Sequence, residues 1–157
     1  YGPYGTFDGG REKAPAAISR KVIEAKINAK DSIDVWGDGE QTRSFLYIDD
    51  CIEGTLKLFE SNHREPINIG SDEQVSINQL VDVVEKISEL KLKRNYQLDK
   101  PLGVRGRSSN NDKLKEVLKW NYSTKLEEGM KKTYNWIYES LTNNDLSTKK
   151  FTKADLE

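Results

Sequence analysis

The chain has 157 residues, with 25 Lys plus Arg against 26 Asp plus Glu and a net charge of −1. This balance gives no global basic field for nucleic acid or an anionic membrane, and no apolar run approaches the roughly 20 residues of a membrane span. A single cysteine, Cys51, excludes an internal disulfide framework and, with only one histidine, makes a Cys/His zinc site implausible, so we expect a cytoplasmic protein.

Two features favour a piece of a larger protein. Apolar residues make up only 35% and charged residues 32%, where about 25% charged is typical. The chain also starts at Tyr1 inside a turn-like sequence, which is unlike a signal peptide, and its only methionine is Met130. Composition alone is equally compatible with a small core under a well-solvated surface. The other interpretation is that the chain is a piece of a larger protein, whose missing half supplies part of the buried surface.

The first fifty residues predict a loop, a helix and two strands. Residues 1–12 are rich in glycine and read as an irregular loop, and Pro15 suits the first turn of a helix. Residues 33–36 and 44–48 predict strands on either side of a glycine turn. The helix is supported by apolar residues at helical spacing, namely Ile18, Val22, Ala25 and Ala29.

The central region predicts a capped helix and a short strand. Asp49 or Asp50 is expected to cap the helix, and the Ile-Asn-Ile-Gly run within residues 66–70 reads as a buried strand. The tryptophans, Trp36 among them, are interpreted as core residues. The apolar face of this helix would consist of Ile52, Thr55, Leu56 and Phe59.

The C-terminal half carries the clearest helical signal. Ser76 and Gln79 form a capping-box pattern. The helix after it has an apolar face of Ile77, Leu80, Val81, Val84, Ile87 and Leu90. A strand over 93–98 and a short helix over 112–118 follow. A final helix opens near Thr124 and Glu127 and buries Leu126, Met130, Tyr134, Ile137 and Leu141.

Alternating strands and helices predict an α/β fold with short strands and amphipathic helices. We expect one domain over residues 1–141 and a polar tail over 142–157. Three or four short strands make a thin sheet for so many helices, so some helices are expected to pack on a sheet outside this chain. No glycine-rich turn for a dinucleotide follows any predicted strand, so an NAD site would also lie elsewhere.

Several motifs in order resemble the extended short-chain dehydrogenases. Tyr1-Gly2-Pro3 is similar to the end of their Asn-x-Tyr-Gly-Pro segment, and residues 37–50, GDGEQTRSFLYIDD, resemble their strand-to-helix block. Asn68-Ile69-Gly70 and the segment 118–133 continue in the same order. The resemblance implies the C-terminal, substrate-binding part of such an enzyme, without its N-terminal Rossmann core.

Within that family, three segments resemble the GDP-mannose 3,5-epimerases. These are residues 9–17, GGREKAPAA, residues 64–73, REPINIGSDE, and residues 103–107, GVRGR. The resemblance implies NAD bound by the missing half, GDP-mannose or a related nucleotide sugar as substrate, GDP-L-galactose as product, and a homodimer when complete. It also implies that the isolated piece is inactive.

The resemblance places the substrate-binding residues at four places along the sequence, namely 12–14, 21, 41–43 and 107. Arginine suits the diphosphate of such a ligand because its planar fork binds phosphate oxygens in a bidentate manner. Without the resemblance, Lys21 and Arg43 would be interpreted as solvated surface residues. The residues assigned to substrate are Glu12, Lys13, Ala14, Lys21, Gln41, Thr42, Arg43 and Arg107.

Lys13 is the catalytic candidate. The resemblance gives it the position of the acid that returns a proton to the sugar, whereas the family's base falls outside this chain. Its place just before the helix at Pro15, with Arg11 nearby, would ease proton donation if the side chain is partly buried.

Other functions stay open at this point. The chain could belong to another nucleotide-sugar epimerase, a dehydratase or a UDP-glucuronate decarboxylase, since the Gln-Thr-Arg-Ser-Phe block is not specific to one of them. A non-catalytic nucleotide-sugar binding module and a non-functional remnant are the remaining alternatives.

Overall fold

The computed structural model describes residues 1–101 and 103–143, and it confirms the α/β class. The elements carry the labels used below. In chain order they are α1 (Ala14–Ile27), β1 (Ser32–Trp36), β2 (Thr42–Ser44), α2 (Ile48–Glu60), β3 (Gln74–Ser76), α3 (Ile77–Ser88), β4 (Lys93–Gln97), β5 (Gly106–Arg107), α4 (Asp112–Leu118) and α5 (Leu126–Thr142).

The core lies where α1 packs against β1, α3 and α5. Val22 and Ile23 of α1 are fully buried, because their helical spacing directs them at the neighbouring helices. The predicted apolar faces of α3 and α5 are confirmed, and each contributes fully buried side chains. They are Leu80, Val81 and Val84 from α3, and Met130 and Ile137 from α5.

The predicted capping box at the start of α3 is also confirmed. The Gln79 backbone N–H donates to Ser76 Oγ at 3.1 Å, and the Ser76 N–H donates to Gln79 Oε1 at 2.8 Å. Ser76 is at the same time the last residue of β3, so the chain passes from strand to helix without a loop. The Ile77 N–H donates to the Gln41 carbonyl at 3.2 Å, which attaches this junction to the residue just before β2.

Five short strands form two separate sheets. β1 and β4, which are the two longest strands, pair in parallel. β2 lies between β3, which is antiparallel to it, and β5, which is parallel. The second strand was predicted over 44–48 but ends at Ser44, because α2 begins at Ile48.

Asp50 has a different role from the predicted helix cap. The N-cap residue of α2 is Tyr47, which makes no side-chain cap, and Asp50 lies in the first turn with only 3% of its surface exposed. Its carboxylate accepts from the N–H groups of Ser123 at 2.9 Å and Thr124 at 3.2 Å, and from Ser123 Oγ at 3.2 Å. The carboxylate therefore ties α2 to the segment that leads into α5.

The predicted apolar face of α2 is exposed rather than buried. Ile52 is 52% exposed, Leu56 54% and Phe59 86%. The opposite side of the helix is packed instead. Trp120 and Ile69 lie so close to Gly54 that a Cβ at this position would clash with both. Nothing in the described chain covers the apolar side.

The strand predicted within residues 66–70 is wrong for the described chain. The segment belongs to neither sheet, and its Pro66 and Gly70 carbonyls accept from the side chains of Lys113 and Asn111. An alternating pattern forms a strand only beside a partner edge, and no described strand lies there.

The last described helix, α5, ends at Thr142. Of the polar tail predicted over 142–157, residues 144–157 lie outside the described residues. Over 1–101 and 103–143, the structure contains no helix that is long and apolar enough to cross a bilayer.

Replacing Asp50 with alanine is expected to lower the free energy of unfolding by about 2 kcal/mol, since two backbone N–H groups lose a charged acceptor. Denaturant titration at pH 7 measures this change. The neighbouring Asp49 is exposed, so Asp49→Ala serves as the control and should change stability little. Equal losses for both variants would contradict the role given to Asp50.

The same clamp predicts a dependence on pH. Burial acts to raise the pKa of Asp50, but the hydrogen bonds from Ser123 and Thr124 outweigh it and hold the pKa below its ordinary value. A lowered folded-state pKa stabilises the protein above the unfolded value of about 3.9, and this stabilisation is lost as the pH falls through the folded value. The stability difference between the native chain and Asp50→Ala should therefore shrink in acid.

Candidate functional site

A cavity of about 330 Å³ lies between the N-terminal half of α1 and the ends of β1 and β2. Five of the eight residues predicted to bind substrate contribute to its wall. These five are Glu12, Ala14, Lys21, Gln41 and Arg43. The other wall residues are Gly10, Ala17, Ile18, Arg20, Asp34, Val35, Trp36, Ile77 and Pro101.

Lys21 reaches the cavity from the middle of α1. Its Nζ donates to the Asp34 carbonyl at 2.8 Å and lies 5.9 Å from the centre of the Trp36 ring. Burial lowers the pKa of Lys21, with the nearby Asp34 carboxylate opposing that shift. The amine is therefore held on the wall rather than being an isolated helix residue in solvent.

Trp36 is not the core residue that was predicted, since 53% of its surface is exposed. Ile33 and Val35 occupy the buried face of β1, and the period of two in a strand places Trp36 on the opposite face. Trp36 is among the residues that line the cavity, and its ring offers an aromatic surface beside the Lys21 ammonium.

Gln41 and Arg43 project from one side of the β2 segment. Gln41 is 6% exposed, and its Nε2 donates to the Trp36 carbonyl at 3.0 Å. Arg43 lines the cavity and donates from an Nη to the Thr42 carbonyl at 2.7 Å. Thr42 was predicted to contact substrate, but it does not line this cavity. Alternation along the strand places the Thr42 side chain on the side opposite Gln41 and Arg43. Its Oγ1 accepts from Gln74 Nε2 at 2.9 Å there.

Arg107 also lies outside the cavity wall, on β5. Arg43 and Arg107 are nonetheless register partners across the parallel β2–β5 pair, so their side chains project from the same face of the sheet. Arg107 therefore lies beside the Arg43 edge of the cavity without forming part of its wall.

Glu12 is attached to α1 by Arg20, a residue that the sequence interpretation missed. The Arg20 guanidinium donates to Glu12 Oε1 at 3.2 Å, to the Phe7 carbonyl at 2.9 Å and to Glu24 Oε1 at 2.9 Å. Three anchors on one side chain hold the loop over residues 7–12 against the helix. Only the Arg20–Glu24 spacing of four residues is visible in the sequence.

Lys13 is separated from the other predicted residues. It is the N-cap residue of α1, it is exposed, and it lines a second cavity of about 190 Å³. The partial burial expected for this side chain is therefore not found in the described chain. The second cavity is also lined by Tyr1, Gly2, Gly5, Thr6, Arg11, Pro15, Ala16 and Thr133.

Three consecutive residues therefore line two different cavities. Glu12 and Ala14 contribute to the larger one, and Lys13 between them contributes to the smaller one. A ligand that occupies both cavities has to pass over this short segment. Such a ligand would be elongated, with Lys21 and Arg43 beside one part and Lys13 beside the other.

The described residues do not fit an NAD site. A dinucleotide-binding turn joins a strand directly to a helix and leaves the helix N–H groups for the pyrophosphate. The Gly37–Gly39 turn joins β1 to β2 instead, and a Cβ on Gly39 would clash with Asn78. At the direct β3–α3 junction, Ser76 caps the helix. The same described ranges contain no group of three or more His, Cys, Asp and Glu residues that could hold a metal ion.

Comparisons with known sequences identify the family to which this chain is similar. A family profile described as GDP-mannose 4,6 dehydratase matches residues 6–133. GDP-mannose 3,5-epimerase from Arabidopsis thaliana is 50% identical over 90% of this chain, and GDP-mannose 3,5-epimerase 1 from Oryza sativa subsp. indica is 48% identical over 90%. The chain spans 36% of the length of each of these curated relatives.

Solved structures give the same fold. UDP-glucose 4-epimerase from Thermotoga maritima, crystallised with UDP-glucose, has a TM-score of 0.80 at 27% identity, covering 90% of this chain and 44% of its own. UDP-glucuronic acid 4-epimerase from Bacillus cereus, in complex with UDP-glucuronic acid and NAD, has a TM-score of 0.72 at 31% identity, covering 88% and 42%. The chain thus belongs to the GDP-mannose 4,6-dehydratase family of extended short-chain dehydrogenases, and it matches their C-terminal, substrate-binding part.

Proposed function

We propose that this chain is the substrate-binding part of a GDP-mannose 3,5-epimerase that converts GDP-mannose to GDP-L-galactose. The observation that carries the proposal is the division of residues 12–14 between two cavities of different chemistry. Identity of 50% to the Arabidopsis thaliana epimerase supports the choice of substrate. The isolated chain is expected to bind the nucleotide sugar without turning it over.

The larger cavity would hold the nucleoside diphosphate. Besides Arg20, which pairs with Glu12 and Glu24, the wall carries the cations Lys21 and Arg43, and Arg107, the register partner of Arg43, lies at its edge. The exposed Trp36 ring offers a flat surface for a base, and stacking of this kind contributes about 1–3 kcal/mol per base. Phosphate recognition by arginine and an aromatic face together favour a nucleotide over an uncharged sugar.

The smaller cavity would hold the sugar. The Lys13 ammonium there can donate a proton to a carbon next to a carbonyl group on the sugar, which inverts that carbon if the proton was removed from the other face. The oxidation that creates such a carbonyl needs NAD, which residues outside this chain would bind. This chain's own contribution is to hold the nucleotide and to return the proton.

The exposed face of α2 supports a missing complementary part. Ile52, Leu56 and Phe59 leave an apolar stripe that nothing in the described chain covers, and residues 66–70 belong to neither described sheet. The NAD-binding part would cover both, and the complete protein would be a cytoplasmic homodimer. A UDP-sugar epimerase is the second candidate, because the Bacillus cereus structure with UDP-glucuronic acid shares this fold at 31% identity.

The proposed function is tested by joining this chain to the N-terminal part of the Arabidopsis thaliana epimerase. The fusion should epimerise GDP-mannose, and Lys13→Met should reduce kcat by about 100-fold or more because the proton donor is lost. Exchange of hydride at the oxidised carbon should survive in that variant. Lys30→Met, at an exposed lysine beyond the end of α1, is the control and should leave kcat unchanged.

A different kinetic pattern would contradict the acid role. If Lys13 only pairs with a phosphate, Lys13→Met would raise KM and leave kcat nearly intact. A fusion that turns over UDP-glucuronic acid but not GDP-mannose would favour the second candidate.

The isolated chain is also expected to show no saturable binding of NAD at micromolar concentrations, since no glycine-rich dinucleotide-binding motif follows any predicted strand in its sequence. Titration calorimetry with the purified chain measures this, with GDP-mannose as the comparison ligand. Micromolar affinity for NAD would show that the cofactor site was assigned to the wrong part of the protein.

A further inference from the structure

The glycine turn, residues 37–40 between β1 and β2, has a cavity-wall residue at each end. Trp36 precedes it and Gln41 follows it, and both line the larger cavity. Gly37 and Gly39 have φ angles of 75°, a left-handed conformation that glycine adopts readily. Glycine also has the most backbone freedom to lose on folding, so contacts with the rest of the chain are needed to hold such a turn in one conformation.

Asn78, in the first turn of α3, binds the glycine turn from one side. Its backbone N–H donates to the Gly39 carbonyl at 2.9 Å. Its side-chain Nδ2 donates to Glu40 Oε1 at 2.7 Å and to the Asp38 carbonyl at 3.3 Å. Three consecutive residues of the turn are therefore attached to one residue of α3. Asn78 is not among the residues that line the cavity, so it acts on the wall through the turn.

Strand β4 fixes Asn78 from the other side. The Tyr96 hydroxyl donates to Asn78 Oδ1 at 3.0 Å, and Arg94 Nη1 donates to Oδ1 at 3.3 Å and to the Asn78 carbonyl at 3.2 Å. Arg94 is itself bound by the carboxylates of Asp82 and Glu85. Turning the amide over would set its NH₂ group against these two donors. The donating side of Asn78 is therefore directed at the turn.

The glycine turn also connects to the far edge of the cavity. Asp38 Oδ2 accepts from Arg105 Nη1 at 2.8 Å, and the Thr42 N–H donates to the Arg105 carbonyl at 2.9 Å. Arg105 lies directly before β5, two residues from Arg107. A shift of the turn would therefore move this edge together with the wall.

We propose that Asn78 is a positioning residue for the larger cavity, which holds the glycine turn, and with it Trp36 and Gln41, in the conformation that binds a nucleotide. This inference rests on the proposed function and adds a residue outside the cavity to the site. The junction of β3 and α3 does not depend on this side chain. The Ser76–Gln79 capping box and the bond from the Ile77 N–H to the Gln41 carbonyl remain when it is changed.

Asn78→Asp tests the donating side of this residue. A carboxylate here can still accept from Arg94 and Tyr96, but it cannot donate to the turn and is repelled by Glu40. Calorimetric titration of the chain with GDP should show affinity about tenfold below that of the native chain.

A second substitution on the turn should restore binding. Glu40→Gln alone should keep the native affinity for GDP, because the new amide oxygen can accept from Asn78. In the double variant, Asn78→Asp with Glu40→Gln, the new amide can donate to the new carboxylate. Its affinity should therefore recover to within about threefold of the native value.

Two further variants guard against a loss of fold. Glu40→Ala changes an exposed side chain, leaves α3 intact and removes one bond to the turn, so it should weaken GDP binding about threefold. Asn95→Asp is the matched control. Asn95 is exposed between Arg94 and Tyr96, and alternation along β4 directs it to the opposite face, so GDP binding should not change.

Kinetics separate positioning from a merely structural role. In the fusion with the N-terminal part, Asn78→Asp should raise KM for GDP-mannose about tenfold and leave kcat within about twofold, because Lys13 lines the other cavity. A structural role would lower the temperature of unfolding but leave KM and GDP affinity at native values.

That structural pattern, or a double variant that binds GDP no better than Asn78→Asp, would overturn the inference and leave the proposed function intact. Native GDP affinity in Glu40→Ala would also contradict it. A native chain that does not bind GDP at all would overturn the proposed function, and this inference with it.

Discussion

The position of α1 determines most of what this chain can do. Val22 and Ile23 are buried where the helix meets β1, α3 and α5, so the helix has little freedom to rotate or slide. Its first residues separate the two cavities, and its middle carries Lys21 to the wall of the larger one. The Arg20 guanidinium then attaches the preceding loop to the same rigid helix. Packing in the core thereby sets the geometry of polar groups that make no core contacts.

A second constraint concerns α2, which polar contacts hold in place while its apolar side stays open. Asp50 accepts from two backbone N–H groups before α5, and Gly54 allows Trp120 to approach closely. The stripe of Ile52, Leu56 and Phe59 faces away from these contacts. An exposed apolar surface of this kind marks an interaction site in most soluble proteins. It agrees with a chain that spans 36% of the length of its curated relatives.

The long helices were predictable because their apolar periodicity is strong. For α3 and α5 the buried large apolar residues are ones that the helical spacing predicts, although Ile87, Leu90 and Leu141 at the ends of the predicted faces are only half-buried. β3 and β5 were missed because strands of three and two residues carry no periodic signal. The strand within 66–70 and the burial of the α2 face were wrong for one reason. A pattern shows that a surface can be covered, but it does not show whether the covering element is present.

The candidate site was also predictable only in part. Its residues came from resemblance to a family, and five of the eight meet in one cavity. The separate position of Lys13 depends on which side of a loop a side chain leaves, and the sequence alone does not report this. Arg20 was missed because its bonds to Phe7 and Glu12 join residues thirteen and eight positions apart. The exposure of Trp36 could have been predicted from the sequence, because alternation along β1 places its last residue on the face opposite Ile33 and Val35.

The central claim is that one nucleotide sugar occupies both cavities around the start of α1. The most direct measurement is a two-dimensional amide NMR titration of the isotopically labelled chain with GDP-mannose. The account predicts saturable shift changes in residues 10–21, 34–43 and 103–107, with the smaller cavity responding to GDP-mannose but not to GDP alone. Shift changes confined to the exposed side of α2, or none at millimolar ligand, would contradict it.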